Sequence, residues 1–256
     1  MIVSDLLSEL REGILHDVSD QVAGASDSLW SDATLIRYID QAQKRFARRT
    51  LCIRDKTTAK CCQFTTVLNQ DEYPLDPSVL AVLSVRMAGD NADLARAGHP
   101  QFDTYHVPDT YFFDPTQLSN LPPGKPLAFA TDEYVTADTN GSMGVANLRL
   151  YPVVGTGYSG VVGTMRVARL PLNSLTAATL SASPEIPDAY HLDMLDWAAY
   201  LALRIVDLDQ GAADRAKEFA QSFEAHVQEA IKEFKRKTFT PMQWGFGRNG
   251  FSWDKL

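Results

Sequence analysis

The chain has 256 residues, of which 45% are hydrophobic and 22% are charged, and its formal net charge is −8. This composition is that of a globular protein long enough to bury a sizeable core, so neither disulfides nor metal ions are needed for folding. The acidic balance is spread along the chain and argues against a protein that wraps nucleic acid tightly, because such binding needs a basic surface.

The cysteines and the apolar segments set further bounds. Cys52, Cys61 and Cys62 are odd in number and two are adjacent, which predicts buried free thiols in a reducing compartment rather than a disulfide framework. The first residues carry acids within their apolar pattern and do not resemble a signal peptide. No stretch approaches the ~20 apolar residues of a membrane span. We therefore expect a protein that is made in a cytoplasm and has no membrane partner.

Two helices are predicted at the start of the chain. Residues 3–18 place apolar side chains at helical spacing. A second helix is predicted to begin after Ser31, a favourable N-cap, with Asp32 at the positive end of the helix dipole. Trp30 and Leu35 occupy the two positions of a hydrophobic staple. The buried face of this helix is predicted to consist of Leu35, Ile39, Ala42 and Phe46.

The end of the second helix is basic. The residues concerned are Lys44, Arg45, Arg48 and Arg49. Complementing the negative end of the helix dipole accounts for these charges. The alternative is a contact of Arg45, Arg48 and Arg49 with a partner or with DNA passing through a channel.

From residue 57 to residue 171 the pattern changes to short alternating segments rich in β-branched and aromatic residues. The first of them places Phe64, Thr66 and Leu68 on one face. Pro, Gly, Asn and Asp separate the segments, which predicts a β-rich insertion with a sandwich or barrel arrangement. A cluster of prolines between Val107 and Leu127 predicts a long surface loop, or an extended arm that reaches a neighbouring subunit.

Helices are predicted again over residues 182–238. Two apolar stripes at helical spacing flank Gly211 and predict an αα-hairpin, with Pro187 near the first turn. The stripes consist of Tyr190, Met194, Trp197, Leu201, Ile205 and Leu208, then Ala216, Phe219, Phe223, Val227, Ala230 and Phe234. The fold class is therefore α+β. Residues 1–56 and 182–238 form one helical domain, 57–171 are the insertion and 239–256 are an extended tail.

The tail combines large apolar side chains with a glycine-loosened backbone. Its apolar residues are Phe239, Met242, Trp244, Phe246, Phe251 and Trp253. Leaving such side chains in water is unfavourable at roughly 25 cal/mol per Å². The tail is therefore predicted to dock onto its own domain or onto another chain.

Candidate chemistry is sparse. Residues 155–160 match GxGxxG, but a strand-like segment follows instead of the helix that a dinucleotide site needs, which favours a glycine-rich hairpin loop. Tyr158 in this loop is a candidate partner or channel contact. Asp207 with Asp209 is interpreted as a solvated helix end, and residues 138–141 as a β-turn. The five histidines lack ligand spacing, and His191 is interpreted as a packing or interface residue. No catalytic residue, metal site or cofactor is predicted.

Several segments resemble the head-to-tail adaptor (connector) proteins of tailed bacteriophages, of the podovirus type. Residues 28–50, SLWSDATLIRYIDQAQKRFARRT, resemble the second helix of that family, and residues 183–237 resemble its C-terminal helical hairpin. Residues 71–87 and 148–172 resemble the β-rich insertion of podovirus-type adaptors.

The resemblance implies a structural protein without enzymatic activity. Family members form a ring, usually of twelve identical subunits, beneath the portal protein. The ring extends the channel for genomic DNA, without sequence-specific binding, and is the attachment platform for tail or nozzle proteins. The terminal tail commonly reaches the portal or an adjacent subunit. This implies location in the virion, at the neck between head and tail. The alternatives are a virion-associated cell-wall hydrolase, which needs two convergent carboxylates, and a monomeric non-viral binding module.

Overall fold

The computed structural model describes residues 1–17, 29–97, 121–131, 146–205 and 210–238. They form an α+β protein, as predicted. The chain divides into two compact units, and each is described by itself. The helical unit comprises residues 1–52 and 175–256, and the β unit comprises residues 53–174.

The helical unit contains four α-helices among its described residues. They are α1 (Val3–Ser8), which continues as a π-helix (Glu9–Leu15), α2 (Asp32–Thr50), α4 (Leu195–Ile205) and α5 (Gln210–Thr238). The number α3 belongs to a short helix of the β unit (Ala59–Cys62). The predicted first helix thus ends earlier than residue 18, because His16 adopts a left-handed conformation with φ of 53°.

Helix α2 begins as predicted. Ser31 is the N-cap, and its hydroxyl accepts a hydrogen bond from the Thr34 N–H at 3.3 Å. The predicted apolar face is confirmed, since Leu35, Ile39, Ala42 and Phe46 are each fully buried. Such burial of large apolar side chains stabilises the unit by about 1.5–3 kcal/mol each.

Polar contacts also fix the start and the middle of α2. The Arg11 guanidinium contacts the Asp17 carboxylate at 3.0 Å and the Asp32 carboxylate at 2.6 Å, which ties the π-helix to the first turn of α2. Asp40 is buried, and one of its oxygens accepts a hydrogen bond from the Leu175 N–H at 2.9 Å. The other oxygen of this carboxylate forms an ion pair with the Lys44 ammonium group, at 2.6 Å.

Helices α4 and α5 form the predicted hairpin and run antiparallel. Near the start of α4 the ring of Trp197 lies 5.3 Å from the ring of Phe223, while the earlier Tyr190 lies 5.5 Å from the later Phe234. Helix α4 is shorter than predicted. Residues 188–190 form a 3₁₀ turn, in which the Tyr190 N–H donates to the Pro187 carbonyl oxygen at 3.0 Å, so the α-helical ladder begins only at residue 195.

The predicted stripes of the hairpin are buried at most described positions. Those are Tyr190, Met194, Leu201, Ala216, Phe223, Val227 and Ala230. Trp197, Phe219 and Phe234 are half-buried instead, because they lie at the borders of the apolar stripe. The side chains of Ile205 and Leu208 lie outside the described residues.

The β unit contains eight strands and the short helix α3 (Ala59–Cys62) among its described residues. The strands are β1 (Arg54–Asp55), β2 (Gln63–Thr65), β3 (Glu72–Pro74), β4 (Val79–Met87), β5 (Ala95–Arg96), β6 (Ala128–Thr131), β7 (Asn147–Tyr151) and β8 (Val162–Arg169). Leu68 is 42% exposed and does not share the predicted face with the buried Thr66, because β2 ends at Thr65 and the chain turns at Asn69.

The strands form two sheets. Strand β8 is central in the first, with β1 and β2 paired along one side and β4 along the other, all antiparallel. The second has the order β3-β7-β6-β5, in which only β5 and β6 are parallel. Val85 and Val167 of the first sheet share one buried cluster with Phe129, Leu148 and Leu150 of the second, so the sheets enclose a common apolar core.

Candidate interaction surface

The basic end of α2 lies against the hairpin. The Arg49 guanidinium binds the Glu224 carboxylate through two hydrogen bonds, of 2.8 and 2.7 Å. Arg45 approaches the same carboxylate at 3.7 Å. Because these side chains are about 40% exposed, the pairs contribute only about 0–1 kcal/mol to folding stability. Their main effect is to hold both guanidinium groups in place.

Arg45 also begins a row in which two aromatic side chains lie between two arginines. Its guanidinium carbon lies 3.7 Å from the centroid of the Trp197 ring. The Trp197 ring lies 4.6 Å from the Tyr200 ring, and the Arg204 guanidinium lies 5.9 Å from the Tyr200 centroid. We call Arg45, Trp197, Tyr200 and Arg204 the arginine–aromatic ladder.

Arg48 adds a further charge beside the ladder, three residues after Arg45 on α2. It is exposed, and within the described part of the chain it makes no ion pair. Arg, Trp and Tyr are the residue types that most often dominate the binding energy of protein interfaces. The ladder and Arg48 therefore form a surface suited to a protein partner. The sequence indicated Arg45 and Arg48 as contacts but not Tyr200 or Arg204, and it placed Trp197 in the buried stripe, because periodicity does not indicate which border residues stay accessible.

Below the ladder the hairpin carries a titratable cluster. The His226 Nδ1 atom lies 3.3 Å from an Asp196 carboxylate oxygen and 3.9 Å from one of Asp193. Burial raises the pKa of Asp193, and neighbouring Asp196 and Glu229 act in the same direction against the attraction of His226.

Two other titratable groups serve packing. His191 is fully buried, with Nε2 at 2.9 Å from the Ile186 carbonyl oxygen, which agrees with its interpretation as a packing residue. The Tyr190 hydroxyl donates to the Glu233 carboxylate, and burial together with this bond raises the pKa of Tyr190 well above its usual range. These side chains hold the hairpin together.

The glycine-rich loop carries Tyr158 in a 3₁₀ turn (Thr156–Tyr158) of the β unit. The buried Thr66 hydroxyl donates to the Tyr158 carbonyl oxygen at 2.6 Å and accepts from the Val161 N–H at 3.0 Å. Strand β8 follows, so the loop has no helix to hold a pyrophosphate. The prediction that this glycine-rich loop joins the two strands of a β-hairpin is wrong, because β7 and β8 belong to different sheets. The Tyr158 side chain is 38% exposed.

One buried group has the residue types of a metal site. Ligand atoms of Asp55, Cys61 and Cys62 lie within 4.8 Å of one another. However, the Asp55 carboxylate is already bound to the Arg169 guanidinium at 2.8 Å and to the backbone and hydroxyl of Thr58. These bonds hold the pKa of Asp55 far below its usual range despite burial.

The thiols of this group lie in the apolar core. All three cysteines of the chain are free and buried, as predicted. Burial raises the pKa of Cys62 to about 12, and contact with Cys61 adds to the effect. Cys61 and Cys62 belong to the buried apolar cluster that the two sheets enclose.

Other predicted positions lie outside the described residues. They are Phe239, Met242, Trp244, Phe246, Phe251 and Trp253 of the tail, and Asp207, Asp209 and residues 138–141.

The described residues thus define an α+β protein whose αα-hairpin carries a half-exposed arginine–aromatic surface and whose β unit contains ion pairs such as that of Asp55 with Arg169. The family model described as SU10 adaptor protein matches residues 1–244. The chain belongs to this family and is a phage adaptor protein, a structural component located at the head–tail junction of the virion. No curated protein matches the chain. Within the described residues, no helix is both long and apolar enough to cross a membrane.

Proposed function

We propose that this adaptor is of the podovirus type and forms a ring, of twelve copies, beneath the portal protein. The ring extends the DNA channel and is the attachment platform for tail or nozzle proteins. The observation that carries the proposal is the family match, which spans residues 1–244 and therefore includes residues of both compact units.

The two units have separate roles in this proposal. The helical domain, from residues 1–56 and 182–238, builds the wall of the ring. The β-rich insertion, residues 57–171, faces outward or downward and meets tail proteins. Support comes from the different surfaces of the units, since the arginine–aromatic ladder lies in the helical unit and the exposed Tyr158 lies in the β unit. Arg45, Arg48, Arg49 and Tyr158 are proposed as partner or channel contacts.

The aromatic tail is the proposed anchor. Phe239, Trp244 and Trp253 and their neighbours carry apolar area whose exposure is unfavourable at roughly 25 cal/mol per Å². A groove of the portal or of an adjacent subunit removes that area from water. The glycines of the tail allow the backbone to follow such a groove.

The net charge of −8 suits a channel through which DNA moves without sequence-specific binding. Like charge discourages adhesion of the phosphate backbone. Arg45 and Arg49 share Glu224, which lowers the attraction of these arginines for phosphate. Assembly takes place in the host cytoplasm and requires no cofactor.

The test combines the full-length protein with its portal ring. Cryo-electron microscopy of the mixture is expected to give a twelve-fold ring of this chain attached to the portal. A chain truncated after Lys237 should fold, as checked by circular dichroism, but should fail to join portals. Full-length protein that does not bind portals would contradict the proposed function, while normal assembly of the truncated chain would contradict the anchoring role alone.

A further inference from the structure

The surface formed by the arginine–aromatic ladder and Arg48 carries positive charge that no acid among the described residues matches. Arg48 and Arg204 are exposed and make no ion pair with any residue that the structure describes. The aromatic rings between them are half-buried, so a partner can still cover them. A surface that presents guanidinium groups beside Trp and Tyr rings suits carboxylates that approach on a helical face.

The same helical unit carries a surface of the opposite kind. On α1 and the π-helix that continues it, the exposed carboxylates are Asp5, Glu9 and Glu12. Glu9 and Glu12 make no ion pair within the described residues, and the Asp5 carboxylate accepts a hydrogen bond from the Ile2 N–H at 3.2 Å. The opposite side of this segment is buried through Val3, Leu6 and Leu10, so the carboxylates point away from the core.

The two surfaces match in size as well as in charge. The carboxylates from Asp5 to Glu12 extend over about 10 Å at 1.5 Å per residue. The ladder has a comparable extent, since its three successive contacts, of 3.7, 4.6 and 5.9 Å, together reach at most a few ångströms further. Ile2, which is 38% exposed, adds an apolar side chain at the edge of the acidic surface.

We infer that the arginine–aromatic ladder and Arg48 of one subunit dock the acidic face of α1, with Asp5, Glu9 and Glu12, of a second copy of this chain. This inference rests on the proposed ring. Two different surfaces meet in such a contact, so each subunit uses its ladder on one neighbour and its α1 face on the other. Repetition of a contact of this type closes a ring when the rotation between subunits fits.

Duplex DNA is the less suitable occupant of the ladder. The chain as a whole carries a net charge of −8, which repels a polyanion at long range. A second copy instead brings its carboxylates to the ladder on a preformed helical face, so few side chains have to be ordered on binding.

Charge reversal tests the docking. One variant carries Arg48→Glu and Arg204→Glu, a second carries Glu9→Lys and Glu12→Lys, and a third combines all four. A matched control carries Lys217→Glu and Lys232→Glu, which reverse two exposed charges elsewhere on α5. Ring formation by the full-length chain is measured by mass photometry, alone and with portal rings, after circular dichroism has confirmed the fold of each variant.

Each of the first two variants is expected to lower the apparent association constant about tenfold or more, since like charges then oppose each other. The combined variant is expected to regain most of the association, and the control to behave as wild type. If the reversals leave ring formation unchanged, or if the combined variant regains no association, the proposed docking is overturned. The proposed ring is not affected by either outcome. Unchanged rings with weaker retention of duplex DNA would assign the ladder to DNA instead. Wild-type chains that form no ring in either setting overturn the ring and the docking together.

Discussion

The guanidinium group of Arg45 lies 3.7 Å from the centroid of the Trp197 ring and so joins the basic end of α2 to the hairpin. Sequence position separates the two residues widely, and neither is fully buried. The same arginine also approaches Glu224 at 3.7 Å, which keeps its guanidinium over the ring. Arg45 therefore contributes both to the packing of the helical unit and to its surface.

Replacement of Arg45 by Ala is expected to lower the free energy of unfolding by about 1–2 kcal/mol, because the stacking on Trp197 and the packing of the long side chain are both lost. Arg48→Ala is the matched control, since Arg48 makes no ion pair with the described residues, and it should change stability by less than about 0.5 kcal/mol. Urea unfolding followed by circular dichroism measures both. Equal effects of the two substitutions would contradict a specific role of the stacking.

Replacement of Asp55 by Asn is expected to destabilise the β unit by about 3–5 kcal/mol at neutral pH, because the buried Arg169 guanidinium loses its ion pair with the Asp55 carboxylate. The folded-state pKa of Asp55 lies below its unfolded value. The stabilisation is therefore complete at pH values above the unfolded pKa, about 4, and is lost progressively as the pH falls further.

Denaturant titrations of wild type and Asp55→Asn at pH 7 and at pH 3 test this prediction. The difference between the two proteins should be smaller at pH 3. Asp214→Asn is the control, because its carboxylate is exposed and, among the described residues, forms an ion pair only with Lys217. A difference that does not depend on pH would mean that Asp55 does not act through its charge.

Replacement of Asp193 by Asn is expected to raise the thermal midpoint at pH 7. The folded-state pKa of this carboxyl group is raised, chiefly by burial. Its stabilising contribution is therefore present at pH values below the unfolded pKa and is lost as the pH rises through the folded pKa, where the half-buried carboxylate becomes charged.

Differential scanning calorimetry at pH 7 and pH 4 measures this effect, which should be smaller than that of Asp55→Asn and should shrink at pH 4. His226→Gln in the same background separates the contribution of the histidine, whose attraction lowers the pKa of Asp193. A lower midpoint of Asp193→Asn at pH 7 would show that the attraction outweighs the cost of burial.

Replacement of Gly163 by Ala is expected to destabilise the first sheet by about 1–3 kcal/mol. A Cβ atom at this position would lie 2.2 Å from the ring of Phe64, which pairs with Gly163 across β2 and β8. Gly157→Ala is the control, because a Cβ atom there meets nothing within 4 Å. Chemical denaturation of both variants tests this prediction. If Gly163→Ala leaves the free energy of unfolding unchanged, the Phe64 ring moves away at little cost.

Local signals in the sequence determined the helical elements. The cap at Ser31 and the buried positions Leu35 and Phe46 follow from hydrogen-bonding capacity and helical periodicity, which depend on residues within a turn or two. The antiparallel hairpin was predictable for the same reason. The free, buried cysteines also followed from their number and spacing.

Only the tertiary structure decided which surfaces those elements expose and which strands pair. Strands β7 and β8 are separated by a short loop, yet each finds its partners in a different sheet. Arg49 binds Glu224, 175 positions away in the chain, and Trp197 remains half-buried beneath Arg45. Such relationships arise from packing between segments that are distant in sequence. No local pattern encodes them, because each side chain's exposure depends on what the rest of the fold places beside it.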